Sequence, residues 1–200
     1  MPNIEKKMPP TPEVAMTVMD AIYKRRAVRS YLPQQIDKVA IQALLDAAVH
    51  APTAIHEEAW AFAVIQDKEI LNHLSESAKK LVAEEIKVHP ANHALDHFTQ
   101  ADFNVFYDAG TLIVIYGKSM EPFVPADCWL AAENLMLAAC SMGLGTCVIG
   151  SAVSALNTSE WKANLKIPVG MTAIAPVIVG VPNGEVPSTS RKQAEILIWK

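Results

Sequence analysis

Residues 127–150 read DCWLAAENLMLAACSMGLGTCVIG. The stretch from Asp127 to Met142 is apolar on nearly every helical face, the pattern of a helix buried in a core or between subunits. Gly143 and Gly145 then punctuate the chain, and Thr146 to Ile149 has the composition of a strand. The longest apolar run, Leu130 to Val153, is interrupted by this turn and carries Glu133 and Asn134, which argues against a membrane span. It reads as a buried helix, a turn and a strand.

Outward from this unit, Thr111 to Tyr116 and Thr172 to Val179 have the length and β-branched content of buried strands, and Trp60 to Ile65 reads as another. A short helix is expected around Thr158 to Leu165. Upstream, Asp37 can cap a helix with Ile41, Leu44, Leu45 and Ala48 on one face, stopped by Ala51-Pro52. Ile70, Leu71, Leu74, Ala78 and Leu81 recur at helical spacing, with Lys79, Lys80, Glu84 and Glu85 on the wetter sides. Thr11-Pro12 has the form of an N-cap and first-turn proline, and Val14, Val18 and Ile22 follow every four residues to a helix end near Arg25. Strands do not alternate strictly with helices. The expectation is therefore an α+β fold, a central and mainly antiparallel sheet flanked by helices.

Two hundred residues suffice for one domain with a real core. A hydrophobic content of 51% exceeds what such a domain needs to cover itself, and the excess is read as a subunit interface. The net charge of -4, without basic blocks, points away from nucleic acid. The proline-rich opening reads as a flexible leader over residues 1–12, ahead of one domain over 13–200, and it has no signal-peptide core. Three cysteines, Cys128, Cys140 and Cys147, without a C-x-x-C pair suit reduced thiols in a cytoplasm.

Four segments carry candidate chemistry. Lys24-Arg25-Arg26-Ala27-Val28-Arg29 gathers guanidinium forks that suit a phosphate, although cations at a helix C-terminus are also favoured by the dipole alone. Ala51 to Trp60 is a loop of small residues entered through Pro52, where His56 and Glu58 could present polar edges to a flat ligand. Gly143 to Gly150 permits close backbone approach, yet it is not the dinucleotide fingerprint: its glycine spacing differs and a helix precedes it. Arg191, in Thr189-Ser190-Arg191-Lys192, is a second potential phosphate contact. No Ser-His-Asp or Cys-His signature is present, so no catalytic side chain is assigned.

In this order and at these separations, the segments resemble the nitroreductase family. Its R-R-S/A-V-R pattern appears as Arg25-Arg26-Ala27-Val28-Arg29, its A-P-S-x-x-N-x-Q-P-W pattern as Ala51 to Trp60, and its G-L-G-T-C-x-I-G pattern as Gly143 to Gly150. The resemblance covers the chain from about Val14 onward. It implies a homodimer that holds FMN and passes electrons from NADH or NADPH to a small acceptor, such as a nitroaromatic or quinone, in ping-pong order. By the same resemblance, Arg25, Arg26, Ala27, Arg29 and Arg191 would hold the phosphate and flavin edge. Pro52, Thr53, Ala54 and His56 would reach a flavin bound mainly by the other subunit, and Ile149 and Gly150 would meet its reactive nitrogen through backbone amides. Lys79 is a candidate for the polar contact from the third helix.

The chain departs from the family pattern at His56 for Asn, Glu58 for Gln and Ala59 for Pro. An amide pair becomes an imidazole and a carboxylate, which bears on substrate preference more than on cofactor. Other readings are an FMN enzyme with dehydrogenase or specialised cleavage activity, and a non-catalytic flavin-binding protein. His89, His93 and His97 share a helical spacing, but no familiar ligand pattern completes them. They are read without a metal, with His93 and His97 as substrate-pocket candidates beside His56 and Glu58.

Overall fold

The computed structural model describes residues 16–88, 100 and 102–200. The leader, the Thr11-Pro12 cap and His89, His93 and His97 lie outside the described residues. In chain order the elements are α1 (Val18–Lys24), α2 (Lys38–Val49), β1 (Trp60–Ile65), α3 (Lys68–Val88), β2 (Thr111–Gly117), α4 (Val124–Ser141), β3 (Gly145–Val148), α5 (Val153–Leu156), α6 (Ser159–Asn164) and β4 (Thr172–Gly180).

The strands form one sheet in the order β1-β2-β4-β3, and every pair is antiparallel. All of β2 is buried. Because successive strand residues face opposite sides, its run divides between two cores. Ile113 and Ile115 join Leu44, Leu135 and Ala139 of α2 and α4, whereas Leu112, Val114 and Tyr116 join Leu74 of α3, Leu156 of α5 and Trp161 of α6. Helices thus cover both faces of the sheet, the expected α+β layering. A register shift between Ile115 and Tyr116, opposite β4, keeps both inward sets aligned past the irregularity.

Local chemistry sets the helix boundaries. Asp37 accepts the Ala40 N–H at 2.7 Å to start α2, and Thr158 accepts the Trp161 N–H to start α6. The α1 boundary differs from the sequence expectation. Thr17 accepts the Asp20 N–H, the Asp20 carboxylate accepts the Thr17 N–H, and this capping box starts the helix at Val18. Val18 and Ile22 are 71% and 46% exposed, so their shared helical spacing marks an outward apolar surface. Helix α4 begins at Val124, ahead of Asp127, because Pro125 is tolerated in a first turn that needs no internal N–H donor. It ends with Gly143 at φ +73°, where the Gly143 N–H bonds Cys140 O and the Leu144 N–H bonds Ala139 O.

Candidate functional site

Gly145 brings the arginine segment onto the glycine segment. A Cβ there would lie 2.7–2.9 Å from three side-chain carbons of Val28. Without it, the Val28 N–H reaches Thr146 O at 2.9 Å, and Ala27 forms a parallel bridge with Thr146 along the edge of β3. Lys24, Arg25, Arg26 and Val28 then line a cavity of about 240 Å³ whose opposite wall is Gly143 to Thr146, with Gly184 and Val186 at the tail side.

The three arginines are held differently. Arg26 donates to Tyr23 O at 2.6 Å and to Arg25 O at 2.8 Å, so it does cap the end of α1. Arg25 Nε lies 3.5 Å from the Glu133 carboxylate, an ion-pair distance without hydrogen-bond geometry. The Nε atoms of both arginines are buried and have no hydrogen-bond partner. Arg29 is turned away, its guanidinium 5.9 Å from the Tyr107 ring centroid. Arg191 is exposed, bonds Ser190 O at 3.3 Å, and is absent from the cavity wall.

A second feature lies where β3 ends. Pro176 accepts the Ile149 N–H at 2.9 Å but has no N–H to return, so the ladder stops there. The freed Ile149 carbonyl takes the Ala152 N–H at 3.0 Å, and the chain enters a 3-10 turn over Gly150–Ala152. The first N–H groups of such a turn have no partner within it. Gly150 is exposed, and a Cβ added to it would meet nothing within 4 Å. The segment offers a ligand open space against bare backbone.

The proline loop is the third part. Pro52, His56 and Glu58 are exposed, and Thr53 and Ala54 are half-buried. Ile55, His56 and Glu58 have φ of 47°, 59° and 48°, a left-handed region that is costly above all for β-branched Ile55. Two residues that the sequence reading did not single out hold this loop. Buried Asp127 accepts the Ala54 N–H, and Lys118 donates to Glu58 O. A carboxylate in the first turn of an otherwise apolar helix was the available signal for Asp127. Within one chain the loop meets the start of α4 and the arginine cavity meets its end, on the order of 20 Å apart for a helix rising 1.5 Å per residue.

Lys79, expected on a wetter side of α3, is instead buried, its charge met by the Glu76 carboxylate 2.7 Å from Nζ, with Gln100 O at 3.4 Å. Burial raises the thiol pKa of Cys128 to about 11 and pushes Cys140 and Cys147 up as well, the opposite of what a thiolate nucleophile needs. Among the described residues, no group of three His, Cys, Asp or Glu side chains could hold a metal ion. No helix among them is long and apolar enough to cross a membrane.

The profile of the Nitroreductase family matches residues 22–180, and the chain belongs to that family. A Methanothermobacter thermautotrophicus protein provisionally named NADH dehydrogenase/NAD(P)H nitroreductase is 31% identical over 65% of this chain, a match spanning 59% of that protein's length. A second protein of the same name, from Archaeoglobus fulgidus, is 28% identical over 82% of this chain and 84% of its own. Among solved structures, an FMN-bound nitroreductase from Bacteroides fragilis superposes with a TM-score of 0.81 at 26% identity, covering 95% of this chain and 100% of that one.

Proposed function

We propose that this chain is an FMN-dependent oxidoreductase that takes reducing equivalents from NADH or NADPH and delivers them to a small acceptor such as a nitroaromatic or quinone. The observation that carries the proposal is the placement of Arg25 and Arg26 together on one wall of a cavity whose other wall is the glycine segment, Gly143 to Thr146. Guanidinium groups stay charged and bind phosphate oxygens by charge-assisted hydrogen bonds. The donor set fits a mononucleotide, and the open space over Gly150 fits a flat ring. Bound FMN would supply the hydride chemistry.

The chain's own part is to hold and to expose. Arg25 and Arg26 would hold phosphate, with Ala27, Arg29 and Arg191 as the remaining contacts implied by the family pattern. Gly150 would direct its backbone N–H at the ring edge, whereas Ile149, expected from the family pattern to do the same, already gives its N–H to Pro176 O. Pro52, Thr53, Ala54 and His56 would close the pocket, with Glu58 towards the acceptor; His93 and His97, outside the described residues, are the remaining substrate-contact candidates of the sequence. Donor and acceptor would use the same face in turn. The test begins with the purified protein: heat-released cofactor should chromatograph as FMN, and initial-rate lines against nicotinamide at several acceptor concentrations should be parallel. Recovery of FAD or no flavin would refute the cofactor, and intersecting lines would refute the shared site. A bound flavin with no nicotinamide oxidation above that of free FMN would favour a non-catalytic flavin-binding protein.

The proposed working unit is a homodimer. Val18, Met19, Ile22 and Tyr23 on α1, Trp129 and Leu130 on α4, and Ile196 to Trp199 at the C-terminus are exposed apolar surface of a kind that marks protein contacts. A second copy would also bring a proline loop to a cavity that its own loop does not reach. Light scattering at low micromolar concentration should return twice the 21.8 kDa chain mass. A flavin-loaded monomer would contradict the shared-site arrangement.

A further inference from the structure

We infer that Asp127 and Lys118 are positioning residues for acceptor selectivity, acting as a two-ended clamp on the loop that carries His56 and Glu58. The inference rests on the reading of that loop as the acceptor side of a flavin pocket. Asp127 is 4% exposed, and its Oδ1 and Oδ2 lie 3.2 and 3.3 Å from the Ala54 N–H. At the other end, the Lys118 ammonium donates to Glu58 O at 3.2 Å, while the Lys118 N–H donates to Ala59 O at 2.8 Å. The left-handed residues Ile55, His56 and Glu58 all fall between or at these anchors.

Three non-glycine residues remain in that region only where the surroundings over-determine them. The surroundings here are the two anchors. Asp127 sits in the first turn of α4, where the helix dipole favours its charge, and Lys118 follows directly after β2. Both anchors are therefore mounted on regular elements, and the clamp transmits their rigidity to exposed side chains that would otherwise relax toward ordinary backbone. The consequence concerns selectivity: the direction in which His56 and Glu58 point is set by residues that never touch the acceptor.

The test compares Asp127→Ala, Asp127→Asn and Lys118→Met in the full-length protein as purified. Glutamyl endopeptidase cuts after Glu57 or Glu58 only when the loop opens, so Asp127→Ala and Lys118→Met should be cut about tenfold faster than wild type. Asp127→Asn keeps an acceptor oxygen in the same place and should restore protection. For catalysis, the ratio of kcat/KM between a nitroaromatic and a quinone should shift about tenfold in the two opened variants. His56→Asn should alter that ratio in the wild-type background and add nothing to Asp127→Ala, since an unclamped residue 56 no longer addresses the acceptor. Wild-type cleavage rates, or an unchanged ratio, or simple additivity, would overturn the inference. Should Asp127→Ala not fold, Lys118→Met and Asp127→Asn decide between the same outcomes. Protein purified without flavin would refute the flavin reading alone, and the cleavage contrast would still judge the clamp.

Discussion

Gly145→Val should lower thermal stability by about 6–12 °C, the shift expected of about 3 kcal/mol in a chain of this size. A Cβ at this position would overlap the Val28 side chain, with its nearest contacts at 2.7–2.9 Å. Val28 has little room to retreat. Its N–H is bonded to Thr146 O at 2.9 Å, its side chain is buried, and neighbouring Ala27 is bridged to Thr146. The larger side chain must either strain β3 or detach the 25–29 segment, and detachment also opens one wall of the arginine cavity. Differential scanning calorimetry of the flavin-free protein isolates the first effect. A melting temperature equal to that of wild type would show that the segment yields freely and that the cavity wall is soft.

Gly150→Val should do the reverse, leaving the fold intact while weakening FMN about 100-fold, equivalent to about 2.7 kcal/mol. In this structure a Cβ at Gly150 meets nothing within 4 Å, and the residue has no positive φ that a side chain would strain. The flavin-free variant should therefore melt with wild type. On the proposed reading, that open space is where the ring lies against Ile149 and Gly150, so branched carbon would displace it. Flavin titration monitored by quenching reads the loss directly. Undiminished affinity would place the ring elsewhere, whatever the fate of Gly145→Val.

The contrast shows which parts of the molecule a linear reading reaches. Trp60 to Ile65 and the Asp37 cap lie where their local patterns place them, because alternation, apolar length and a capping side chain act within a few residues. The α1 boundary has a local cause too: Thr17 and Asp20 form their box three residues apart, within an apolar repeat of Val14, Val18 and Ile22 that extends upstream of it. Other features are not local at all. Asp127 and Ala54 are 73 positions apart, and Pro176 ends the ladder by withholding a donor from Ile149, the residue just past β3. The proline in a buried strand is visible in the sequence, whereas the residue it leaves without a donor is not. The motif residues were likewise legible as a set, but their division between the two ends of α4 required the fold.

That division has a genetic consequence. If each pocket draws its arginines from one subunit and its proline loop from the other, the two kinds of lesion are complementary in trans. A subunit damaged at Arg26 and a subunit damaged at the loop would each be defective as a homodimer. Mixed, they would assemble one pocket carrying both defects and one carrying neither, so crossing two inactive alleles would recover up to half of the sites in each mixed dimer.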